Sequence, residues 1–394
     1  MVKKTFIRVV LPALVILLAY GVYAYLRPVP AITPVTEIVT VPKTQAISLP
    51  WPASGQAAIG AAGYGVLDSH NAATPVPIAS VSKVITALAV LKQKPVSTGS
   101  QGETITLGSP DVDLFNYYYS KDGSVAQVNS GEQLTEVQAL QTMLIPSANN
   151  MADSLAVWAF GSVNGYVAYA NKMVKDMGLK DTTVGDASGF GDVTTSTADD
   201  LVRLGIVAIQ NPVLAQIVAQ PSAQVPVAGS IKNLNLLLGQ DGVIGIKTGN
   251  TDHAGGCYLF ASQRTIAGQP LIVVGAVLGQ PSLTEALKSA TPIIRASDTG
   301  FAQTVVLHKG QTLGYYQVPW GSAVQFKAGK DVIISAWKGQ DIKIQNKADN
   351  VSSPMSSGAS VGAVTATSGD KATSSNLVLS RVLPSPPWTW RLFH

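Results

Sequence analysis

The sequence predicts a chain of mixed α/β (α+β) class, carried behind one apolar N-terminal segment and closed by a small all-β module. Three observations lead there. Apolar residues recur at helical spacing in runs after residues 83 and 134. A short β-branched run with flanking glycines occupies 243–249, and beyond residue 301 strand-like runs alternate with turns. The 394 residues leave room for two domains and further segments. A formal net charge of +4 with 13% charged residues and no interior basic cluster argues against a nucleic-acid partner. Cys257 is the single cysteine, which excludes an intrachain disulfide and a zinc or iron–sulfur ligand set. In the apolar stretch Cys257–Ala261 it reads as a core residue.

In chain order, residues 1–27 come first. Lys3, Lys4 and Arg8 precede an apolar run over 9–26, close to the roughly 20 residues that span a bilayer. Positive charge on one flank and tyrosines at the other predict a single-pass anchor with the remainder outside the cytoplasm. A signal peptide cleaved after Val22-Tyr23-Ala24 competes; the run exceeds the roughly 7–15 residues of a usual signal core, so a retained anchor is expected. Residues 28–48, rich in Pro, Thr and Val, read as an extended tether. The main domain is expected over 49–300 and a β-rich module over 301–383, with 352–374 as a low-complexity loop. An aromatic tail, 384–394, is too short for a stable helix by itself.

Within the main domain, Pro75-Val76-Pro77 is an extended lead that ends where a helix begins, near Ser80. Val84, Leu88 and Leu91 give that helix a buried side. Leu134–Ile145 reads as an amphipathic helix stopped by Pro146, with a new helical run from Asn150. Val243–Gly249 reads as a buried strand running into a site, where Gly245 and Gly249 let another backbone or a ligand approach.

Those boundaries place chemistry. Ser80-Val81-Ser82-Lys83 puts a hydroxyl near a helix N-terminus and an amine one turn on, on the same face. A serine becomes a nucleophile only when a base takes its proton and donors hold the oxyanion. For Lys83 to be that base it must spend time neutral, which burial and a second cation promote; Lys247 is the candidate cation. In isolation the favoured reading is Ser80 as a helix cap and Lys83 as a solvated lysine. The mostly apolar run after Lys83 and two further motifs, Ser147-Ala148-Asn149 and Lys247-Thr248-Gly249, weigh against that. With spacings of about 65 and 100 residues they complete an S-x-x-K, S-x-N, K-T-G set.

At these residues the chain resembles the serine D-alanyl-D-alanine carboxypeptidases, the low-molecular-weight penicillin-binding proteins. Pro77–Leu88 resembles the family's nucleophile segment, Ile145–Ala152 its second motif and Gly245–Gly255 its third. Asp186–Gly189 and Ser196–Leu201 resemble its middle segments. The resemblance covers roughly residues 50–300 and implies a penicillin-binding/β-lactamase-like fold: an antiparallel sheet flanked by helices, plus an all-helical subdomain. It implies that Ser80 is acylated with Lys83 as base, and that Ser147 with Lys247 passes the proton onward. By the same resemblance Asn149 holds the acyl peptide and Thr248 the substrate carboxylate. The N–H groups of Ser80 and Asn250 would form the oxyanion hole, with Gly249 between motif and hole. Substrates would be peptidoglycan stem peptides ending in D-Ala-D-Ala, with β-lactams as inhibitors and no cofactor or metal. Two departures stand out: Asn250 where many members carry histidine, and no arginine in 233–237 or 279–282 to meet the substrate carboxylate. Lys232 is the nearest substitute. The alternatives are a DD-endopeptidase or β-lactamase of the same fold, or a catalytically silent cell-wall-peptide-binding protein.

Overall fold

A five-stranded antiparallel sheet organises residues 46–302, one of two units of the chain in this computed structural model, which describes residues 2–41, 44–266 and 268–394. Its strand order is Val243–Thr251, Gly255–Ile266, Gln269–Gln280, Gln56–Ala61, Gly65–His70, so Val243–Thr251 is an edge strand. The three central strands read as nearly continuous apolar runs because both faces are covered. Leu259, Ala261, Val274 and Ala276 join the core formed with the helices. The helix Ala198–Gln210 packs on the strands Gln56–Ala61 and Gln269–Gln280, and Gly205 allows it to come close: a Cβ there would lie 2.7 Å from Val274 Cγ1. The helix Leu283–Ala296 packs on the strands Gly255–Ile266 and Gln269–Gln280. Cys257 is fully buried, as its apolar surroundings predict.

The helical part of this unit is built from Lys83–Gln93, Ser109–Tyr119, Glu136–Leu144, Asn149–Phe160 and Val163–Asp176. The helix expected over Leu134–Ile145 starts two residues later. Gln133–Thr135 pairs as a short strand with Thr104–Thr106. Thr135 then caps the helix, its Oγ1 accepting from Gln138 N while Gln138 Oε1 accepts from Thr135 N. Pro146 ends it as predicted, and the next helix begins at Asn149.

The other unit comprises residues 1–45 and 303–394. Six antiparallel strands run in the order Pro34–Thr36, Thr312–Tyr316, Val324–Ala328, Lys371–Leu379, Ser360–Ser368, Lys343–Ala348. Two expectations are corrected here. The Pro/Thr-rich segment 28–48 is not wholly a tether: Pro34–Thr36 adds an edge strand to Thr312–Tyr316, and Ile32 bridges Val351. Nor is 352–374 a low-complexity loop, since Ser360–Ser368 and Lys371–Leu379 form a paired hairpin. Its small residues disguise an inward row of Val361, Val364, Ala366, Leu377 and Leu379.

The apolar helix Val2–Leu26 includes an 18-residue window, Val9–Leu26, of mean hydropathy 2.2 that is 6% buried. The side chains of Lys3, Lys4 and Arg8, the expected positive flank, lie outside the described residues. The aromatic tail, too short to hold a helix alone, does form the helix Trp388–Phe393 against the end of Val2–Leu26. Arg391 Nη1 donates to Tyr25 O at 2.5 Å and to Arg27 O at 3.2 Å, and Tyr20 O–H donates to Leu392 O at 2.7 Å. Orphan carbonyls at a helix end supply the partner that the tail lacks on its own.

Candidate active site

The nucleophile segment begins with a single 3₁₀ turn, Ala79–Ser82, and continues as the helix Lys83–Gln93. Ala79 adopts φ +47°, a left-handed conformation unusual for alanine that turns the chain into the site just ahead of Ser80. The edge strand Val243–Thr251 packs against this turn. Gly249 makes that possible, since a Cβ there would lie 3.0 Å from both Ser80 N and Ala79 Cβ. The close backbone approach expected of Gly249 is therefore to Ser80, the candidate nucleophile. Ser147, on the helix break after Pro146, has φ +67° and is buried.

Lys83 is fully buried and held by three oxygens: Ser80 Oγ at 2.8 Å, Asn149 Oδ1 at 2.7 Å and Ser188 O at 2.7 Å. Burial holds its amine well below the ordinary lysine range, and the charge of Lys247 lowers it further. Asp186 and Asp153 act in the opposite direction. Lys247, 2% exposed, is itself pushed down to about 7 by burial. Its Nζ donates to Thr248 O at 2.9 Å, and among the described residues no hydrogen bond joins it to Ser147. A cleft of about 580 Å³ opens over Ser80, Asn149 and Asn250, with Phe190 on its wall and Lys121, Asp122, Asp192, Asp252 and His253 around it.

Six predicted residues thus converge directly: Ser80, Lys83 and Asn149 by hydrogen bond, Gly249 by backbone approach, Lys247 by its field on Lys83, and Asn250 on the cleft wall. Ser147 and Thr248 are buried, 3% exposed each, on the break and strand that carry those neighbours. Lys232 is not brought in: it is exposed at the end of the strand Gly229–Lys232 and does not line the cleft. Among the described residues no arginine lines the cleft either.

Sequence reasoning marked Asp186–Gly189 only as a resemblance and gave the floor of the site no role. The segment Asp186–Gly189 supplies the Ser188 carbonyl to Lys83. Asp186 Oδ1 ties the loop by accepting from Gly189 N at 3.0 Å and from Thr194 O–H at 2.6 Å. Thr86, one turn beyond Ser82, donates to Ala187 O at 2.7 Å. Behind the loop, Tyr118 O–H donates to Asp153 Oδ2 at 2.7 Å. The available signal was the spacing of Asn149 and Asp153, one helical turn apart and so on one face.

Comparison with known proteins follows the same residues. Residues 51–281 match the Peptidase S11 family, D-alanyl-D-alanine carboxypeptidase. A D-alanyl-D-alanine endopeptidase of Pseudomonas aeruginosa is 30% identical over 231 residues, 56% of this chain and 70% of that protein. A D-alanyl-D-alanine carboxypeptidase of a Streptomyces species is 29% identical over 240 residues, 57% of this chain and 78% of the relative. Among solved structures, penicillin binding protein 5 from Haemophilus influenzae superposes with a TM-score of 0.60 at 21% identity, covering 88% of this chain and 100% of that one, a likeness of fold. The Streptomyces K15 DD-transpeptidase gives a TM-score of 0.56 at 26% identity, over 63% of this chain and 98% of its own. The matched span contains all three motifs and the cleft they surround, and this chain belongs to the D-alanyl-D-alanine carboxypeptidase family of serine peptidases.

Proposed function

We propose that this protein is an exported, membrane-anchored DD-carboxypeptidase that removes the terminal D-alanine from peptidoglycan stem peptides through a Ser80 acyl-enzyme. The observation that carries the reading is a fully buried amine, Lys83 Nζ, 2.8 Å from Ser80 Oγ beside a second buried lysine. Ammonium in that surrounding gives up its proton more readily than a solvated lysine does, so the neutral amine is the more accessible form there. Lys83 takes the Ser80 proton as Oγ attacks the carbonyl carbon between the two D-alanines. The N–H groups of Ser80 and Asn250 stabilise the oxyanion. As the C–N bond breaks, the leaving amine receives a proton by way of Ser147, and the last D-alanine departs. Water then attacks the acyl ester, Lys83 again accepting the proton, and Ser80 is restored.

Asn149 steadies Lys83 and the acyl peptide, while Thr248 and the Lys247 charge meet the substrate carboxylate in place of an arginine. A β-lactam follows the same first step and stays attached, because its amine remains tethered in the site. The anchor Val9–Leu26 keeps the enzyme on the outer face of the membrane that carries its substrate.

The cleft without an arginine favours a second reading, a DD-endopeptidase, which cuts within a cross-link and does not have to recognise the end of a chain. The test is a tripeptide ending in D-Ala-D-Ala, offered to the chain as free acid and as C-terminal amide. Release of D-alanine from the acid, with the amide cleaved poorly, is expected. Equal cleavage of both moves the protein to the endopeptidase reading, and cleavage by Ser80→Ala would reject the acyl-enzyme.

A further inference from the structure

Among the described residues no carboxylate touches Lys83 Nζ; its three partners there are a hydroxyl, an amide oxygen and a backbone carbonyl. Two acids stand behind those oxygens. Asp186 directs both carboxylate oxygens into its own loop, to Gly189 N, Gly191 N and the Thr194 hydroxyl. Asp153 is placed differently. It is 9% exposed, lies one turn after Asn149 on the same helix, and accepts from Tyr118 O–H at 2.7 Å. Tyr118 Oη also lies 3.4 Å from Ser188 Oγ, and Ser188 O is the carbonyl that accepts from Lys83. The Tyr118 ring meets Phe190 edge-on, with centroids 5.3 Å apart, where Phe190 lines the cleft. One continuous path therefore runs from the amine through Ser188 and Tyr118 to a buried acid.

We propose that Asp153 is a positioning residue for the Lys83 base: through Tyr118 it holds the Ser188–Phe190 floor under the amine and places a negative charge behind it. This rests on Lys83 being the base for Ser80.

The groups that act on Asp153 come from each neighbouring element. They are Tyr118 from Ser109–Tyr119, Lys83 from the nucleophile helix and Asp186 from the floor loop. Tyr166 from Val163–Asp176 feels the charge of Asp153 in turn. Burial lifts the Asp153 carboxyl to about 6, with the Tyr118 hydrogen bond opposing, Asp186 adding and Lys83 opposing. At pH 7 it is therefore mostly ionised. Tyr118 is pushed upward, chiefly by burial and then by the Asp153 charge, so it stays a donor. A nearby anion favours the ammonium form of Lys83, while Lys247 favours the neutral one. Asp153 and Lys247 thus pull the same amine in opposite directions.

The sign of the consequence follows. Asp153→Asn keeps an oxygen for Tyr118 to donate to but removes the charge. Lys83 then deprotonates at lower pH, and the acid limb of Ser80 acylation moves acidward by on the order of half a unit to one unit. The experiment measures acylation of the full-length protein by a fluorescent penicillin, as a pH–rate profile, for wild type, Asp153→Asn and Tyr118→Phe. Tyr118→Phe keeps the carboxyl but cuts the link and removes the hydrogen bond that opposes its rise, so on the alkaline plateau, where Asp153 is ionised, the maximal acylation rate falls about tenfold while the penicillin concentration for half-maximal rate holds. A purely structural role for Asp153 would lower the rate at all pH values and leave the limb in place. An unmoved limb in folded Asp153→Asn overturns the proposal, as does a wild-type rate in Tyr118→Phe should Asp153→Asn fail to fold. Wild-type acylation by Lys83→Arg would instead reject the underlying reading of Lys83 as base, and the proposal with it.

Discussion

Replacing Gly189 with alanine tests whether the floor loop must press against the nucleophile turn. Gly189 has φ +69°, and a Cβ there would overlap Ala79 O and Ser82 Oγ and lie 2.6 Å from Ala79 C. Alanine in that left-handed conformation costs about 1–2 kcal/mol, and forcing the extra methyl into filled space adds about 1–3 kcal/mol. Carbon atoms in ordinary contact sit about 3.5–4.0 Å apart, so the loop has to withdraw by about 1 Å. Ser188 O would move with it, lengthening its 2.7 Å bond to Lys83. A displacement of about 1 Å at a reacting group can cost on the order of 100-fold in rate. We therefore expect Gly189→Ala to melt roughly 5–15 °C below wild type and to acylate on the order of 100-fold more slowly even at temperatures where it is folded. Circular dichroism melts and stopped-flow acylation by a fluorescent penicillin read the two effects separately. A variant with wild-type melting and wild-type acylation would refute the reasoning, because it would mean the floor tolerates the methyl without moving.

Other expectations are as direct. Lys83→Arg keeps a cation but cannot deprotonate, so acylation should collapse, whereas Lys247→Arg keeps the field and should retain more activity; equal mild losses in both would remove Lys83 as base. Glu136 is 1% exposed, its Oε1 has no hydrogen-bond partner, and burial first of all raises its carboxyl to about 7. A raised acid in the folded state contributes stability that is present below the unfolded value near 4.5 and lost as pH climbs through about 7. Glu136→Gln should flatten that slope, and parallel slopes in urea titrations of wild type and variant across pH 4.5–8 would contradict it. N-terminal sequencing of membrane-extracted protein should find the segment ahead of Tyr25 intact; a chain beginning at Tyr25 would mean a cleaved signal.

Much of the site could be read from the chain before any coordinates, because its chemistry is partly local. Ser80 and Lys83 are separated by one helical turn, so their contact at 2.8 Å follows from helix geometry once the Pro75–Pro77 lead sets the start. Pro146 fixes the break that carries Ser147 and Asn149, and the glycines of 243–249 announce a strand that another backbone must approach. What composition obscured was pairing. The serine and threonine content of 352–374 suggested a loop, but a strand needs only one apolar face, and Val361, Val364 and Ala366 provide it. Pro34–Thr36 became a strand because Thr312–Tyr316 offered an edge, which no local pattern reveals.

The sequence by itself determined the three motifs, the helix and strand that carry them, and the family to which the chain belongs. Tertiary structure alone decided how Lys83 is held. Ser188 lies 105 residues from Lys83, and Tyr118 lies 35 from Asp153, so neither contact leaves a periodicity or spacing in the chain. The same holds for the arginine that no part of the fold brings to the cleft, and for Lys232, adjacent in sequence to the expected position yet exposed away from it. Chain proximity governs contacts within a turn or a hairpin. Packing of separate elements governs the rest, and it is there that the buried Lys83 acquires the surroundings that hold its amine below the ordinary lysine range.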